Sequence, residues 1–203
     1  MFYNLNRYAF EDIYDGGAYS SQTVAQAELT KAAMQNVHFR RAISFAFNRQ
    51  AYNAVTVGEE LSLVSLRNTY TPGTFVMLSE DVTVDINGTA TTFPAGTYYG
   101  EIVQAQIDAD NVPIQVWNTE VEDSISGIMG SSDGFDGWYN VENAVAELET
   151  AIEELAAEGY EISADNPVQI DFIWFDASPT YAQRGQAYKQ SLEANLNGCV
   201  QVN

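Results

Sequence analysis

One cysteine, one histidine and eight lysine or arginine residues are all that 203 positions supply of these types. With Cys199 alone, no internal disulfide can form, which excludes a disulfide scaffold and a cysteine-based zinc site. With His38 alone, any Ser-His-Asp or Cys-His arrangement would have to be built on that residue. It stands beside Phe39 at a helix start, where a surface or capping role accounts for it. The shortage of cations against 28 carboxylates leaves a net charge of -20. So acidic a surface repels phosphate backbones and anionic lipid headgroups, which argues against a nucleic-acid partner. Solvated charge is the plain reading, with weak steering of cationic ligands as the functional one. No apolar run is long enough to span a membrane. No phosphate loop follows a strand, because Gly127, Gly130, Gly134 and Gly137 lack the lysine such a loop needs. The opening Met1–Arg7 has no basic stretch followed by an apolar one, so it does not read as a secretion signal. Either the protein is cytosolic or this is an excised piece of a longer chain.

What is present suits a globular fold. Hydrophobic residues make up 46% of the chain and aromatics 12%, enough for one core, or one core with a subdomain. Residues 1–10 alternate apolar and polar side chains and predict a strand, broken by Gly16-Gly17. A first helix is expected from Thr23 to about Met34. A second begins at Asn36 and runs as one amphipathic element through Arg49, fading near Val57 and ending at Gly58. In it Phe39, Ile43 and Phe47 share a face at a spacing of four.

Arg67–Val76 reads as an extended loop around Pro72-Gly73. Residues 80–116 read as a β insertion. Its centre is Asn87-Gly88 between two β-type runs, the strongest short hairpin signal. Asn87-Gly88-Thr89 also matches a glycosylation sequon, though the turn explains Asn-Gly without a sugar. Ile114–Trp117 reads as a further short strand, and residues 122–138 as loop. Asn140 is placed to cap a helix whose apolar stripe is Val141, Val145, Leu148, Ile152 and Leu155, with Gly159 past its end. A strand over Val168–Phe175, a helix over Tyr181–Leu196 and a strand opening at Val200 imply a parallel pair joined by a crossover. The class expected is α/β: a mixed sheet with flanking helices and a β-hairpin insertion.

Chemistry-bearing patterns are sparse. Asp108, Asp110 and Asn111 resemble the opening of a calcium loop, but Pro113 and Thr119 occupy the positions where glycine and glutamate belong. Asp133 and Asp136 form a second weak acidic pair. Cys199, at the start of a core-type strand with no cation near it in sequence, reads as a buried inert thiol. No catalytic residue, metal ligand or cofactor is expected.

Five segments, in order, resemble the oligopeptide-binding proteins of ABC importers. Asn4-Leu5-Asn6-Arg7 is similar to a strand of that family. Asn36–Arg49, continuing through Ala51-Tyr52, is similar to its Phe-Arg-Gln-Ala-Ile and Ala-Phe-Asp-Arg helix. Leu66-Arg67-Asn68-Thr69 with Pro72 and Thr74-Phe75-Val76, Asp133-Gly134 with Tyr139–Ala144, and Lys189-Gln190-Ser191-Leu192-Glu193 complete the set. Departures are Arg41 for Gln, Asn48 for Asp, Gly73 for the second Pro and Val141 for Pro. Residues 79–131 depart from the pattern altogether and read as a divergent, insertion-like segment.

The resemblance implies that 1–203 is part of the second lobe of a two-lobed, periplasmic-binding-protein-like receptor. It implies a non-enzymatic function, oligopeptide capture for import, with an oligopeptide ligand and an ABC permease as partners. It also implies a location at the extracellular face of the cytoplasmic membrane, held by a lipid anchor outside this chain, or in the periplasm. A receptor for a sugar or metal chelate is the alternative within the family. An acidic hydrolase or an adhesion module lies outside it. Asn6 and Asn68, polar residues in matching segments, are the candidate ligand contacts, against a plain role in satisfying nearby backbone. The acidic residue that pairs with the peptide amine in the family falls beyond the part matched.

Overall fold

The structure is a computed structural model that describes residues 22–63, 66, 68–118, 138–172 and 178–203. The strand expected over 1–10, with Asn6, lies outside these residues, as do Asp133 and Asp136. The chain divides into two compact units, Met1–Glu59 with Tyr139–Asn203, and Glu60–Trp138.

In the first unit, α1 spans Val24–Gln35. It opens on a capping box: Thr23 Oγ1 accepts the Gln26 N–H while Gln26 Oε1 accepts the Thr23 N–H, satisfying two donors that the first turn leaves without partners. Asn36 closes α1 and caps the next helix, its Oδ1 accepting the Phe39 N–H at 2.9 Å. Arg40 reaches back from that helix to the Met34 and Gln35 carbonyls, which α1 cannot pair internally.

The single helix expected from Asn36 to about Val57 is two: α2, Val37–Ala46, and α3, Arg49–Val57. Phe47 and Asn48 between them are non-helical. Asn48 starts α3 as its cap, its Oδ1 accepting the Ala51 N–H at 2.9 Å. The position that departs from the family pattern, Asn for Asp, therefore exchanges one good N-cap for another. The break also shifts the apolar phase. Phe39 and Ile43 are fully buried as expected, but Phe45 joins them, and Phe47 is only half-buried.

Helix α4, Val141–Ala157, starts at Asn140, whose Oδ1 accepts the Asn143 N–H. It ends in a Schellman arrangement: Gly159, at φ 91°, donates to the Ala156 carbonyl and Tyr160 to the Leu155 carbonyl. Its buried face is Ala144, Leu148, Ala151 and Leu155. Val141, expected in the core, is 39% exposed, and Val145 and Ile152 are half-buried. Two alanines on this face let α2, with its own Ala42 and Ala46 buried, pack closely in the most extensive helix pairing among the described residues.

Strand β1, Val168–Ile170, pairs in parallel with β2, Val200–Val202, in the register Val168↔Val200 and Ile170↔Val202. Helix α5, Pro179–Asn195, connects them. The expected strand, helix, strand unit is present, and β1 is shorter than expected: it ends at Ile170, before Asp171 and Phe172, and residues 173–177 lie outside the described set. A turn with Asn197 at φ 51° and Gly198 at φ 72° carries the chain into β2.

The second unit holds the hairpin: β3, Val82–Ile86, antiparallel to β4, Thr89–Phe93, with Ile86 opposite Thr89. Positive φ at both Asn87 (48°) and Gly88 (80°) makes the two-residue turn type I′, as the sequence predicts. The remainder corrects the all-β reading of 80–116. Helix α6 occupies Tyr99–Ala109, with Glu101 Oε1 accepting the Tyr98 N–H at 2.9 Å. Ile114–Trp117 forms no strand. Its backbone is satisfied by side chains instead: Gln104 Oε1 accepts the Val116 and Trp117 N–H groups, and Asn68 Nδ2 donates to the Gln115 carbonyl at 2.7 Å. The expected α/β class, with parallel and antiparallel pairing and flanking helices, is what the two units contain.

Candidate functional site

Three of the sequence segments that stood out converge on the C-terminal turn of α2, whose last carbonyls have no partner within the helix. The Phe45 carbonyl accepts the Asn140 N–H at 3.0 Å. The Ala46 carbonyl accepts the Ser191 hydroxyl at 2.7 Å and Asn195 Nδ2 at 2.9 Å. Ser191 in turn accepts the Asn48 N–H at 2.7 Å. Segments 36–49, 139–144 and 189–193 thus meet at one buried junction, and these bonds give them a structural role there.

A row of rings runs outward from this junction. Phe172, just past β1, stacks on Tyr188 of α5 with centroids 4.5 Å apart. Tyr188 meets Phe47 edge-on at 5.2 Å, and Phe47 meets Tyr52 of α3 edge-on at 5.3 Å. Arg184, one turn before Tyr188 on α5, ends the row with its guanidinium carbon 5.2 Å from the Tyr52 ring centroid. Such a cation over a ring face is held by the ring quadrupole. Arg49 precedes Tyr52 by three residues on α3, and burial lowers its pKa to about 10, which still leaves it protonated at neutral pH. The row lies at the carboxyl end of β1, the end of a parallel strand at which α/β sheets bind ligands. Sequence reading missed this cluster. The available signal was Arg184 and Tyr188 at a spacing of four, on one face of the helix that follows a strand.

His38 lies between α2 and α4. Its Nδ1 is 2.5 Å from Glu147 Oε2 and its Nε2 is 3.8 Å from Glu154 Oε1. Arg41 NH1 lies 3.7 Å from the other Glu147 oxygen, and Asn36 Nδ2 donates to Glu154 at 2.7 Å. The one histidine is therefore tied across a helix pair, close to the surface role expected. A groove nearby, between the C-terminal ends of α1 and α4, is lined by Glu28, Lys31, Asn36, Leu155, Glu158 and Tyr160 among others.

The calcium-like residues serve the second unit's own structure. Asp108 accepts from Gln104, and Asp110 accepts from Asn87 and Gln106. Asn111 adopts a left-handed turn at φ 52°. Cys199 is buried, and desolvation raises its pKa. Asn68 spends its amide nitrogen on Gln115, as described above.

No protein-family model matches the chain. Curated relatives do. The oligopeptide-binding protein SarA of Streptococcus gordonii is 33% identical over 193 residues, which is 95% of this chain and 23% of that protein. The oligopeptide-binding protein AmiA of Streptococcus pneumoniae is 30% identical over 179 residues, 88% of this chain and 22% of its own length. AliA, an oligopeptide-binding protein of the same species, is 32% identical over 179 residues with the same coverage. The chain spans less than a quarter of the length of these relatives.

Proposed function

The chain is a relative, over nearly its whole length, of one segment of the oligopeptide-binding proteins, and on that premise we propose that it is a lobe segment of a peptide receptor for an ABC importer. The observation that carries this reading is the 33% identity to SarA across 95% of the chain. In the reading, the whole receptor stands outside the cytoplasmic membrane, lipid-anchored or periplasmic, and hands an oligopeptide to its permease. Peptides are recognised by such proteins through backbone groups, with side-chain pockets that tolerate variation. Closure of two lobes over the peptide is a hinge motion that a single segment cannot perform.

A binding function is favoured over a hydrolytic one by the relatives, which are named as oligopeptide-binding proteins. His38 faces Glu147 and Glu154 with its two ring nitrogens, which suits a structural part across the helix pair. Of the two asparagines proposed as ligand contacts, Asn68 already supports the Gln115 backbone, which favours the structural part for it. Asn6 is proposed on the family pattern alone.

The reading frame that contains this chain provides the test. A secretion leader with a lipid-attachment cysteine upstream, and calorimetric peptide binding by the product of the whole frame, are the expected results. A frame whose product is folded and binds sugar or a metal chelate, and no peptide, would overturn the peptide reading.

A further inference from the structure

The dipeptide Asn-Gly occurs twice in the chain, at Asn87-Gly88 and at Asn197-Gly198. The two copies are built alike. Each fills the centre of a tight turn with both residues at positive φ, 48° and 80° in the first, 51° and 72° in the second. The first joins β3 to β4, with Ile86 opposite Thr89. The second carries the chain from α5 into β2 and is closed by the Cys199 N–H, which donates to the Leu196 carbonyl at 2.8 Å. Asn87, Gly88, Asn197 and Gly198 are all exposed. Backbone sign and solvent access therefore do not distinguish the two turns.

Hydrogen bonding does. Asn87 is held at both ends of its amide: Nδ2 donates to the Ala109 carbonyl at 3.0 Å and to Asp110 Oδ1 at 2.9 Å, and Oδ1 accepts Gln106 Nε2 at 3.4 Å. The Gly88 N–H donates to Asp85 Oδ1 at 2.9 Å. In the second turn neither the Asn197 side-chain amide nor the Gly198 N–H has a hydrogen-bond partner among the described residues. The Cys199 thiol reaches only the main-chain carbonyl of Asn197, at 3.9 Å.

This difference bears on a reaction of the chain with itself. The side-chain carbonyl carbon of an asparagine and the nitrogen of the next residue belong to one short stretch of backbone, so attack of one on the other has the advantage of proximity. A following glycine has no Cβ to obstruct the approach and opens backbone conformations closed to other residues. Freedom of the amide and of the N–H to leave their native positions then sets the rate. At Asn87 that release breaks every bond just described. At Asn197 it breaks none on the reacting groups.

We propose that Asn197 is a site of spontaneous deamidation and that Asn87, with the same neighbour, is protected. Base removes the proton from the Gly198 nitrogen, which attacks Asn197 Cγ. A C–N bond forms, the Cγ–Nδ2 bond breaks, and ammonia leaves with a proton returned by water. Water then adds to a carbonyl carbon of the succinimide ring and breaks its bond to nitrogen. Opening at Cγ gives aspartate at this position. Opening at the main-chain carbonyl carbon gives isoaspartate, in which the backbone runs through the side-chain methylene. The net change is an amide and water to a carboxylic acid and ammonia, with no oxidant or reductant. Isoaspartate lengthens the chain immediately before Cys199, whose carbonyl accepts the Val168 N–H at 2.9 Å. The parallel pair of β1 and β2 is the structure that the reaction disturbs.

Incubation of the 203-residue chain in mildly alkaline buffer, followed by pepsin digestion in acid and mass spectrometry, tests this. Peptides carrying residue 197 are expected to exchange amide for acid several-fold faster than peptides carrying residue 87. In urea the two rates are expected to converge, because both dipeptides then have the same freedom. Asp85→Ala combined with Asp110→Ala, with an unchanged circular dichroism spectrum, is expected to speed the reaction at Asn87 several-fold and leave that at Asn197 as it was. A rate ratio in buffer no larger than the ratio in urea, faster loss at Asn87, or no acceleration in the double variant would overturn the proposal.

Discussion

Ser191 on α5 fixes the break between α2 and α3 at Asn48: its hydroxyl accepts the Asn48 N–H and donates to the Ala46 carbonyl, both at 2.7 Å. One side chain thereby replaces two bonds that a continuous helix would have made through its own backbone. In Ser191→Ala the Ala46 carbonyl keeps Asn195, but the Asn48 N–H loses its acceptor. The expected cost is about 1–2 kcal/mol of stability, read as a lower denaturant midpoint at an unchanged slope. A loss no larger than a surface alanine substitution would show that the junction contributes nothing.

Gly100 and Gly73 let their backbones touch in the second unit. A Cβ built on Gly100 would lie 2.3 Å from Trp117 Cε3 and 3.0 Å from the Gly73 Cα. Trp117 also stacks on Tyr98, so the ring cannot withdraw without losing that contact. Gly100→Ala is expected to destabilise this unit by about 1–3 kcal/mol, the usual cost of overpacking. A shift in tryptophan emission before the main unfolding transition would report it.

Glu147 faces two partners, His38 at 2.5 Å and Arg41 at 3.7 Å, across the α2 and α4 pair. Its side chain is 17% exposed, against 50% for Glu154. Glu147→Ala is expected to cost about 1 kcal/mol, the upper end for pairs that water still reaches, and Glu154→Ala less. Urea unfolding of both variants at low and high salt separates them, because screening shrinks the charge part of each loss.

The Cys199 thiol is expected to react slowly with iodoacetamide at neutral pH. Burial raises its pKa and hides the sulfur, and only the thiolate is a nucleophile. The sign for stability follows. Above the unfolded thiol's pKa, near 8.5, the unfolded state gives up this proton and the folded state keeps it. This group's contribution to stability therefore declines as pH rises above that value and is level below it. Alkylation rates measured with and without denaturant check the protection, and equal rates would contradict it.

For the chain alone, calorimetry with mixed short peptides is expected to give no micromolar binding. A bound small ligand has most of its surface enclosed, and in the proposed reading that enclosure needs a second lobe of the whole receptor. A micromolar signal would show that this segment holds a complete site.

Local chemistry was legible in the residues themselves. Asn87-Gly88 sets a type I′ turn because both positions tolerate positive φ. Asn140 and Gly159 bracket α4 because a short polar side chain pairs the first-turn donors and glycine accepts the left-handed turn at the end. The alternation around Val168 and Val200 gave the parallel pair, and the five family segments gave the relationship to oligopeptide-binding proteins. Helix α6 was hidden because the strong hairpin signal coloured its surroundings. Its own signature, Glu101 reaching back to the Tyr98 N–H, depends on a cap that no Ser, Thr, Asp or Asn announces.

Other outcomes were decided only by the folded chain. Asn48 breaks a helix that periodicity alone would continue, because α5 brings Ser191 within 2.7 Å of its N–H. Ile114–Trp117 avoids a strand because Gln104 and Asn68, ten and 47 residues away at their contacts, satisfy its backbone first. Arg184 meets Tyr52 because α3 and α5 pack together, and nothing local in sequence joins those residues. Caps and turns are settled within a few residues by backbone geometry, so the sequence determined them. Partners distant along the chain are chosen by packing, so where the polar groups are spent was decided by the tertiary structure.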